Sequence, residues 1–165
     1  MPLAPAVTDI NQLKDRPELA RLLEWNGTAV AGAKFDRGEL TIWLDRAHLI
    51  PAMTFLRDDS HLKFNLLSDV TCVDWYPSEP RFEVVYELRS ISRNRRLRLK
   101  VKLNSDDARL PSLINVWLSC NFFEREVYDL FGVYFEGHPY LRRIMMPEDW
   151  EGHPMRKDYP VEGYR

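Results

Sequence analysis

Long hydrophobic runs are missing from this sequence. No window of its 165 residues approaches the roughly 20 consecutive apolar residues that a membrane-spanning helix needs. The first residues, MPLAPAVTD, also lack the basic start and long apolar stretch of a secretory signal peptide. We therefore expect a soluble or peripheral protein that is not exported.

Cysteine is scarce as well. The chain has two cysteines, Cys72 and Cys120, and they form no CxxC pair. This argues against a disulfide framework, a zinc knuckle or an iron–sulfur cluster held by this chain. No glycine-rich dinucleotide loop follows a predicted strand. These absences argue against a metal or cofactor held by this chain.

A strong excess of one charge is absent too. The 23 Lys and Arg residues nearly balance the 25 Asp and Glu residues, so no global field favours nucleic acid or an acidic membrane. Basic character is local: Arg96, Arg98, Lys100 and Lys102 alternate with apolar residues along one predicted strand. The plainest interpretation is a solvated sheet face. Nucleic-acid binding and docking of an acidic partner remain alternatives.

The remaining pattern predicts an α+β domain at residues 1–132, followed by an extended segment at 133–165. Hydrophobic periodicity and turn residues predict three helices, at 9–25, 46–60 and 112–132, and five strands, at 28–35, 39–45, 64–76, 81–90 and 96–103. Hairpins separated by helices favour two layers: a mixed or antiparallel sheet with helices on one face.

The third predicted helix carries a charged face. Arg125 and Asp129 stand four residues apart, the spacing of a surface ion pair, and Glu124 and Glu126 flank the arginine. Carboxylates so close together can serve as general acid and base. A solvated or partner-facing stripe is the more common arrangement, and it is the interpretation that we prefer.

After Gly132 the chain changes character, and the tetrapeptide Glu-Gly-His-Pro occurs twice, beginning at Glu136 and Glu151. Glycine permits a backbone angle that other residues avoid, proline fixes the next angle, and histidine supplies a hydrogen bond. Each copy therefore predicts a turn. A metal site at the two histidines is the alternative, but no further ligands have diagnostic spacing.

The segment is also rich in aromatic residues, methionine and arginine, as protein interfaces are. We therefore expect it to be mobile in the isolated chain and ordered on a partner, with its basic side chains paired to partner carboxylates. The side chains predicted to contact a partner are Glu124, Arg125, Glu126, Asp129, His138, Arg142, Arg143, Trp150, His153, Arg156, Lys157 and Tyr159.

The stretch EREVYDLFGVYFEGHPYLRRIMMPEDWEGHPMRKDYP, residues 124–160, resembles the signature region of the C subunit, or 30 kDa subunit, of respiratory complex I, the proton-pumping NADH:quinone oxidoreductase. The ERE, the following acidic and apolar residues, the GHP and the LRR all stand in register. The upstream strands resemble the sheet of the family, so the resemblance covers most of the chain.

The resemblance implies a noncatalytic scaffold in the peripheral arm of the complex, docked onto the D subunit near the quinone site. FMN, iron–sulfur clusters and quinone would belong to other subunits. Membrane association would come only through the complex, on the cytoplasmic side of the cell inner membrane. Related membrane-bound hydrogenases and plastid-type dehydrogenases use similar subunits and are the nearest alternative. A nucleic-acid-binding module that uses the basic strand is the alternative from another class.

Overall fold

A computed structural model describes residues 5–164 of the chain. Its helices are α1 (Pro17–Asn26), α2 (Leu49–Asp58) and α3 (Cys120–Phe131). Its strands are β1 (Val30–Asp36), β2 (Glu39–Leu44), β3 (Leu66–Asp74), β4 (Phe82–Ser90), β5 (Arg95–Leu103), β6 (Arg109–Pro111) and β7 (Tyr134–Glu136). The predicted α+β class is confirmed.

Five strands form one sheet in the order β1-β2-β5-β4-β3, and β6 pairs with β7 separately. β1 and β2 form the predicted antiparallel hairpin, whose turn places Arg37 and Gly38 at φ values of 52° and 85°. β2 then runs parallel to β5, with Ile42 opposite Leu99. The sheet is therefore mixed, as predicted.

β5 shows the expected period of two. Leu97, Leu99, Val101 and Leu103 are buried, whereas Arg96 and Lys102 are exposed. This alternation places one face of the strand against the core.

The third helix is shorter than its sequence pattern predicts. Residues 112–119 form turns, and α3 begins only at Cys120. The amides of Val116 and Cys120 donate to the carbonyls three residues earlier, Leu113 and Trp117, so the segment forms tight turns in place of a continuous α-helix. Its start is fixed by two further contacts: Ser112 N donates to the Glu136 carbonyl of β7, and Leu113 N donates to the buried carboxylate of Glu124. Each of the strands β6 and β7 has only three residues, which is too short for a periodic signal.

Contacts group the chain into two compact units. The first comprises Met1–Ser68 and Tyr86–Val101, and the second comprises Asp69–Val85 and Lys102–Arg165. In the first unit, Trp25 of α1 stacks on Phe55 of α2, with ring centroids 5.2 Å apart. In the second unit, Phe82 and Phe135 are among the largest fully buried side chains.

Candidate docking surface

The two Glu-Gly-His-Pro turns bind opposite ends of the same helix. Gly137 and Gly152 both have left-handed φ values, 79° and 76°, as the turn prediction requires. His138 Nε2 donates to the carbonyl oxygen of Asn121, in the first turn of α3, while its Nδ1 accepts the Tyr140 amide. His153 Nδ1 lies 2.9 Å from the carbonyl oxygen of Asp129, in the last turn. The predicted turns are confirmed.

This arrangement separates the histidines. The two carbonyls that they contact are eight residues apart on α3, about 12 Å along the helix axis. Burial lowers the pKa of both rings below the ordinary histidine value, so both are neutral at pH 7. Within residues 5–164, no three histidine, cysteine or carboxylate side chains lie close enough together to hold a metal ion.

The second turn belongs to a cap on the carboxyl end of α3. A helix leaves its last four carbonyls without partners inside the helix. Gly132, in a left-handed conformation, donates its amide to the Tyr128 carbonyl, and the Met155 amide donates to the Leu130 carbonyl. Arg156 Nε donates to the Phe131 carbonyl at 2.6 Å. With His153 on the Asp129 carbonyl, all four are bonded.

Asp129 is the anchor of the residues that follow. Its carboxylate is fully buried and accepts the backbone amides of Ile144, Met145 and Met146 at 2.7–2.9 Å. It also accepts Arg143 Nη1 at 2.6 Å. One carboxylate therefore fixes three successive peptide groups and one guanidinium.

Two opposing effects set the pKa of Asp129. Burial is the largest single influence and raises the pKa, but the amides of Met146, Ile144 and Met145, together with Arg143, lower it below the ordinary aspartate value. Asp129 is thus ionised at pH 7. The predicted surface pair between Arg125 and Asp129 is wrong, because Asp129 points inward and takes Arg143 instead.

Arg143 joins several parts of the segment. Its Nη1 bonds Asp129, while its Nη2 donates to the carbonyls of Trp150 and Gly152, each at 2.9 Å. Like Arg156, it directs its donors to acceptors within the chain. We call the described residues 137–164 the tail: these arginines hold the tail on α3.

A second anchor involves residues that the sequence did not single out. Arg81 is buried and donates to both oxygens of Asp74, at 2.9 Å each, and to both oxygens of Asp158 in the tail. Asp74 also accepts the amide of Lys157 at 2.9 Å. The contacts with the tail join residues 77 and 83 positions apart along the chain, and no periodicity in the sequence links them.

Glu124 lies on the inner side of α3 and is fully buried. It accepts Ser112 Oγ at 2.6 Å and the Leu113 amide at 2.7 Å. Burial raises the pKa of this carboxyl above its ordinary value. Its role is to fix the turns that precede α3, so the prediction that it faces solvent or a partner is wrong.

The outward side of α3, the turn before it and the tail carry an arginine–aromatic surface, which we define as Leu118, Phe122, Arg125, Tyr140 and Arg142. Leu118, Phe122 and Tyr140 are 83%, 60% and 55% exposed, respectively. Arg125 lies over both the Phe122 and Tyr140 rings, at 6.0 and 5.8 Å, and Arg142 lies 4.4 Å from the Tyr140 ring centroid. Stacked arginines and exposed aromatics are enriched at protein interfaces.

The other predicted docking residues differ in exposure. Glu126, Trp150 and Lys157 are exposed. Tyr159 is partly buried, since its ring lies against Gly152 and its hydroxyl donates to the Glu151 carbonyl at 3.2 Å. The exposed members can contact a partner without disturbing the tail.

The basic strand is partly neutralised within the chain. Arg98 donates to Glu87 at 2.5 Å and to Glu39 at 2.9 Å. Lys100 lies 5.7 Å from the ring of Trp43. These contacts occupy the middle of the strand and favour the interpretation of a solvated face there.

Comparison with known proteins identifies the family. The family model described as respiratory-chain NADH dehydrogenase, 30 Kd subunit, matches residues 42–165. Proteins named as the C subunit of NADH-quinone oxidoreductase are 48% identical over 78% of this chain in Saccharopolyspora erythraea and 42% identical over 87% in Geotalea uraniireducens. The matches cover 52% and 86% of those proteins, respectively, so the chain spans about half the length of the first.

Solved structures agree with this assignment. A trypsin-resistant fragment of Nqo5 is 36% identical, with a TM-score of 0.65 over 75% of this chain and 99% of that one. A chain of an archaeal membrane-bound sulfane sulfur reductase is 27% identical, with a TM-score of 0.73 over 87% of this chain and 84% of that one. The chain therefore belongs to the 30 kDa subunit family of respiratory-chain NADH dehydrogenase, the C subunit of NADH-quinone oxidoreductase.

Proposed function

We propose that this chain is a noncatalytic structural subunit in the peripheral arm of a proton-pumping NADH:quinone oxidoreductase. It docks onto the D subunit near the quinone site and supports electron transfer from NADH to quinone. FMN, iron–sulfur clusters and quinone are held by other subunits. The complex sits at the cell inner membrane, with this chain peripheral on the cytoplasmic side.

The arginine–aromatic surface is the observation that carries this proposal, together with membership of the family. Leu118, Phe122 and Tyr140 are exposed although they are large and largely apolar, and a rigid backbone lies beneath them because Asp129 and Arg143 hold the tail. A pre-ordered surface loses less conformational entropy on binding than a mobile one. Arg125 donates to the carbonyls of Arg142 and Arg143 and so supports the surface, whereas the exposed Arg142 suits carboxylates and carbonyls on the partner.

Membrane association is proposed to come through the complex. Across the part of the chain that the structure describes, no helix is long and apolar enough to cross a bilayer.

Glu126, Trp150 and Lys157 extend the proposed contact area beyond the arginine–aromatic surface.

The test is affinity purification of the tagged chain from gently solubilised membranes, followed by an assay of NADH-driven quinone reduction. Wild-type chain should recover a redox assembly. The double variant Phe122→Ala/Tyr140→Ala should reduce recovery by at least about tenfold, the expected cost of losing interface hot spots. Ile91→Ala is the matched control, because Ile91 is 68% exposed and lies in the first unit.

Two results would contradict the proposal: wild-type chain that recovers no redox assembly, or a folded double variant that recovers as much as wild type. An assembly that reduces another acceptor and ignores NADH would instead establish the second candidate, an equivalent scaffold of a related membrane-bound complex. The likeness to the sulfane sulfur reductase chain favours that candidate among the alternatives.

A further inference from the structure

The first unit contains a cleft of about 300 Å³ that the docking surface does not use. Three arginines, Arg16, Arg95 and Arg96, line it, against one carboxylate, Glu18. The cleft thus has an excess of positive charge, although the whole chain carries a net charge of -2.

The contacts of these arginines leave donors available. Arg95 Nη1 donates to the Glu18 carboxylate at 3.2 Å, so the single negative charge of the lining is paired with one of the three arginines. Arg16 Nε is buried and has no hydrogen-bond partner among the described residues, and Asp15 Oδ1 lies 4.0 Å from it. The Arg16 guanidinium lies over the Phe35 ring at 3.9 Å, and this contact fixes its position. The Arg16 side chain is nevertheless 40% exposed, so its guanidinium, held over Phe35, can donate from its exposed part to a ligand in the cleft.

The backbone dipoles of α1 add to the positive electrostatic potential of the cleft. The ten-residue helix α1 begins at the cleft, where Pro17 and Glu18 form part of the lining. Within the described part of the chain, the residue that precedes the helix makes no side-chain capping bond, so the amides of the first turn lack that acceptor. The amino end of a helix carries a partial positive charge and binds anions. Guanidinium groups and helix dipole therefore favour a ligand of the same charge.

We propose that this cleft binds a phosphate-class dianion between Arg16, Arg95, Arg96 and the first turn of α1. The planar guanidinium of arginine can donate two parallel hydrogen bonds to two oxygens of a phosphate group. The cleft volume of about 300 Å³ accommodates a phosphate group with a small organic substituent. The ligand is either a free phosphate compound or the headgroup of an anionic phospholipid.

The test uses the full chain. Amide chemical shifts are followed in NMR titrations with inorganic phosphate, against sodium chloride at equal ionic strength. Binding should be saturable, with shifts at Glu18 and Leu19. Arg16→Gln and Arg96→Gln should each weaken binding by about tenfold, the value of one hydrogen bond between charged groups. Arg89→Gln is the matched control, since it removes the same charge from an exposed position that is not part of the cleft lining.

A second arm separates the two sources. Sedimentation with phosphatidylcholine vesicles, with and without phosphatidic acid, is measured for the same variants. Phosphate binding without vesicle binding indicates a free phosphate compound, and vesicle binding that Arg16→Gln removes indicates a lipid headgroup. Shifts that only follow ionic strength, or equal losses in Arg89→Gln, would overturn the proposal. Arg96→Gln keeps the test valid if Arg16→Gln fails to fold.

Discussion

Asp129 illustrates how much one side chain can organise. Three successive amides and one guanidinium donate to its carboxylate, as amides of a turn donate to a bound anion. Because the amides belong to the chain, the carboxylate fixes the backbone path of residues 144–146.

Replacing Asp129 with asparagine should therefore release the tail. Asp129→Asn keeps the size but removes the charge that neutralises Arg143, leaving a guanidinium that is only 15% exposed without a counter-charge. We expect a loss of about 3–5 kcal/mol in the free energy of unfolding, measured by urea denaturation, and faster proteolysis within the tail. Asp149→Asn is the control, because Asp149 is exposed. Equal stability of the two variants would contradict this role.

Asp74 gives a prediction about pH. Its burial raises its pKa, but hydrogen bonds from Arg81 and from the amides of Lys157 and Tyr76 lower the pKa from 3.8 to about 2. Since the folded-state pKa is depressed, the stabilisation is present above about pH 4 and is lost as the pH falls towards 2. We expect about 2 kcal/mol of stability to disappear in this window.

The measurement is the free energy of unfolding by urea between pH 5 and 2. Asp74→Asn should lack this part of the acid-dependent loss and should be less stable than wild type at pH 5. A wild-type curve with the same slope as that of the variant would contradict the assignment.

Residue-level prediction succeeded where the interaction is local. The roles of Gly137 and Gly152 follow from the tetrapeptide itself. The partners of Asp129 and Arg81 were missed because they lie far away along the chain, and because charged residues are usually exposed unless paired. The choice between surface pair and buried anchor depends on tertiary contacts that helical spacing does not encode.

At the scale of elements, the carboxyl end of α3 depends on Gly132. Its φ is 75°, and a Cβ there would collide with the side chains of Arg156 and His153. Only a residue without a Cβ permits both the left-handed turn and the close approach of the tail.

Comparing two glycines separates these effects. Gly132→Ala and Gly137→Ala both introduce a left-handed alanine, at about 1–2 kcal/mol each. A Cβ at Gly137 meets nothing within 4 Å. Gly132→Ala should therefore be less stable by roughly a further 1–3 kcal/mol, as for overpacking. Thermal unfolding of both variants checks this, and equal losses would show that the cap tolerates a methyl group.

Element prediction worked where a period was long enough to read. The alternation in β5 located that strand, whereas β6 and β7 are too short to alternate. The helical spacing from Leu113 onward was misleading, because tight turns also bring residues three apart together: Val116 and Cys120 donate their amides to the carbonyls of Leu113 and Trp117. The parallel pairing of β2 with β5 joins strands that are far apart along the chain, and the sequence of neither strand predicts it.

For the molecule as a whole, the anchors argue against the mobile tail that its composition predicts. The amides of residues 144–146 are bonded to a buried carboxylate in the isolated chain. We expect their hydrogen exchange to be slowed on the order of a hundredfold, as for a local opening of about 3 kcal/mol.

The measurement is amide exchange by NMR on the chain alone. The amide of Asp149, in the exposed stretch between the anchors, provides the comparison and should exchange rapidly. Exchange at Ile144 as fast as at Asp149 would show that the tail detaches in solution and orders only on a partner.

The cap on α3 also has a consequence for biosynthesis. A ribosome makes residues 120–131 well before it makes His153, Met155 and Arg156, which bond the carbonyls at the end of that helix. Until those residues are made, the last carbonyls of the helix have no partner within the protein and can form hydrogen bonds only with water. Synthesis of residues 153–156 therefore completes the cap, and nascent chains that stall before residue 153 would offer an exposed helix end to chaperones and proteases.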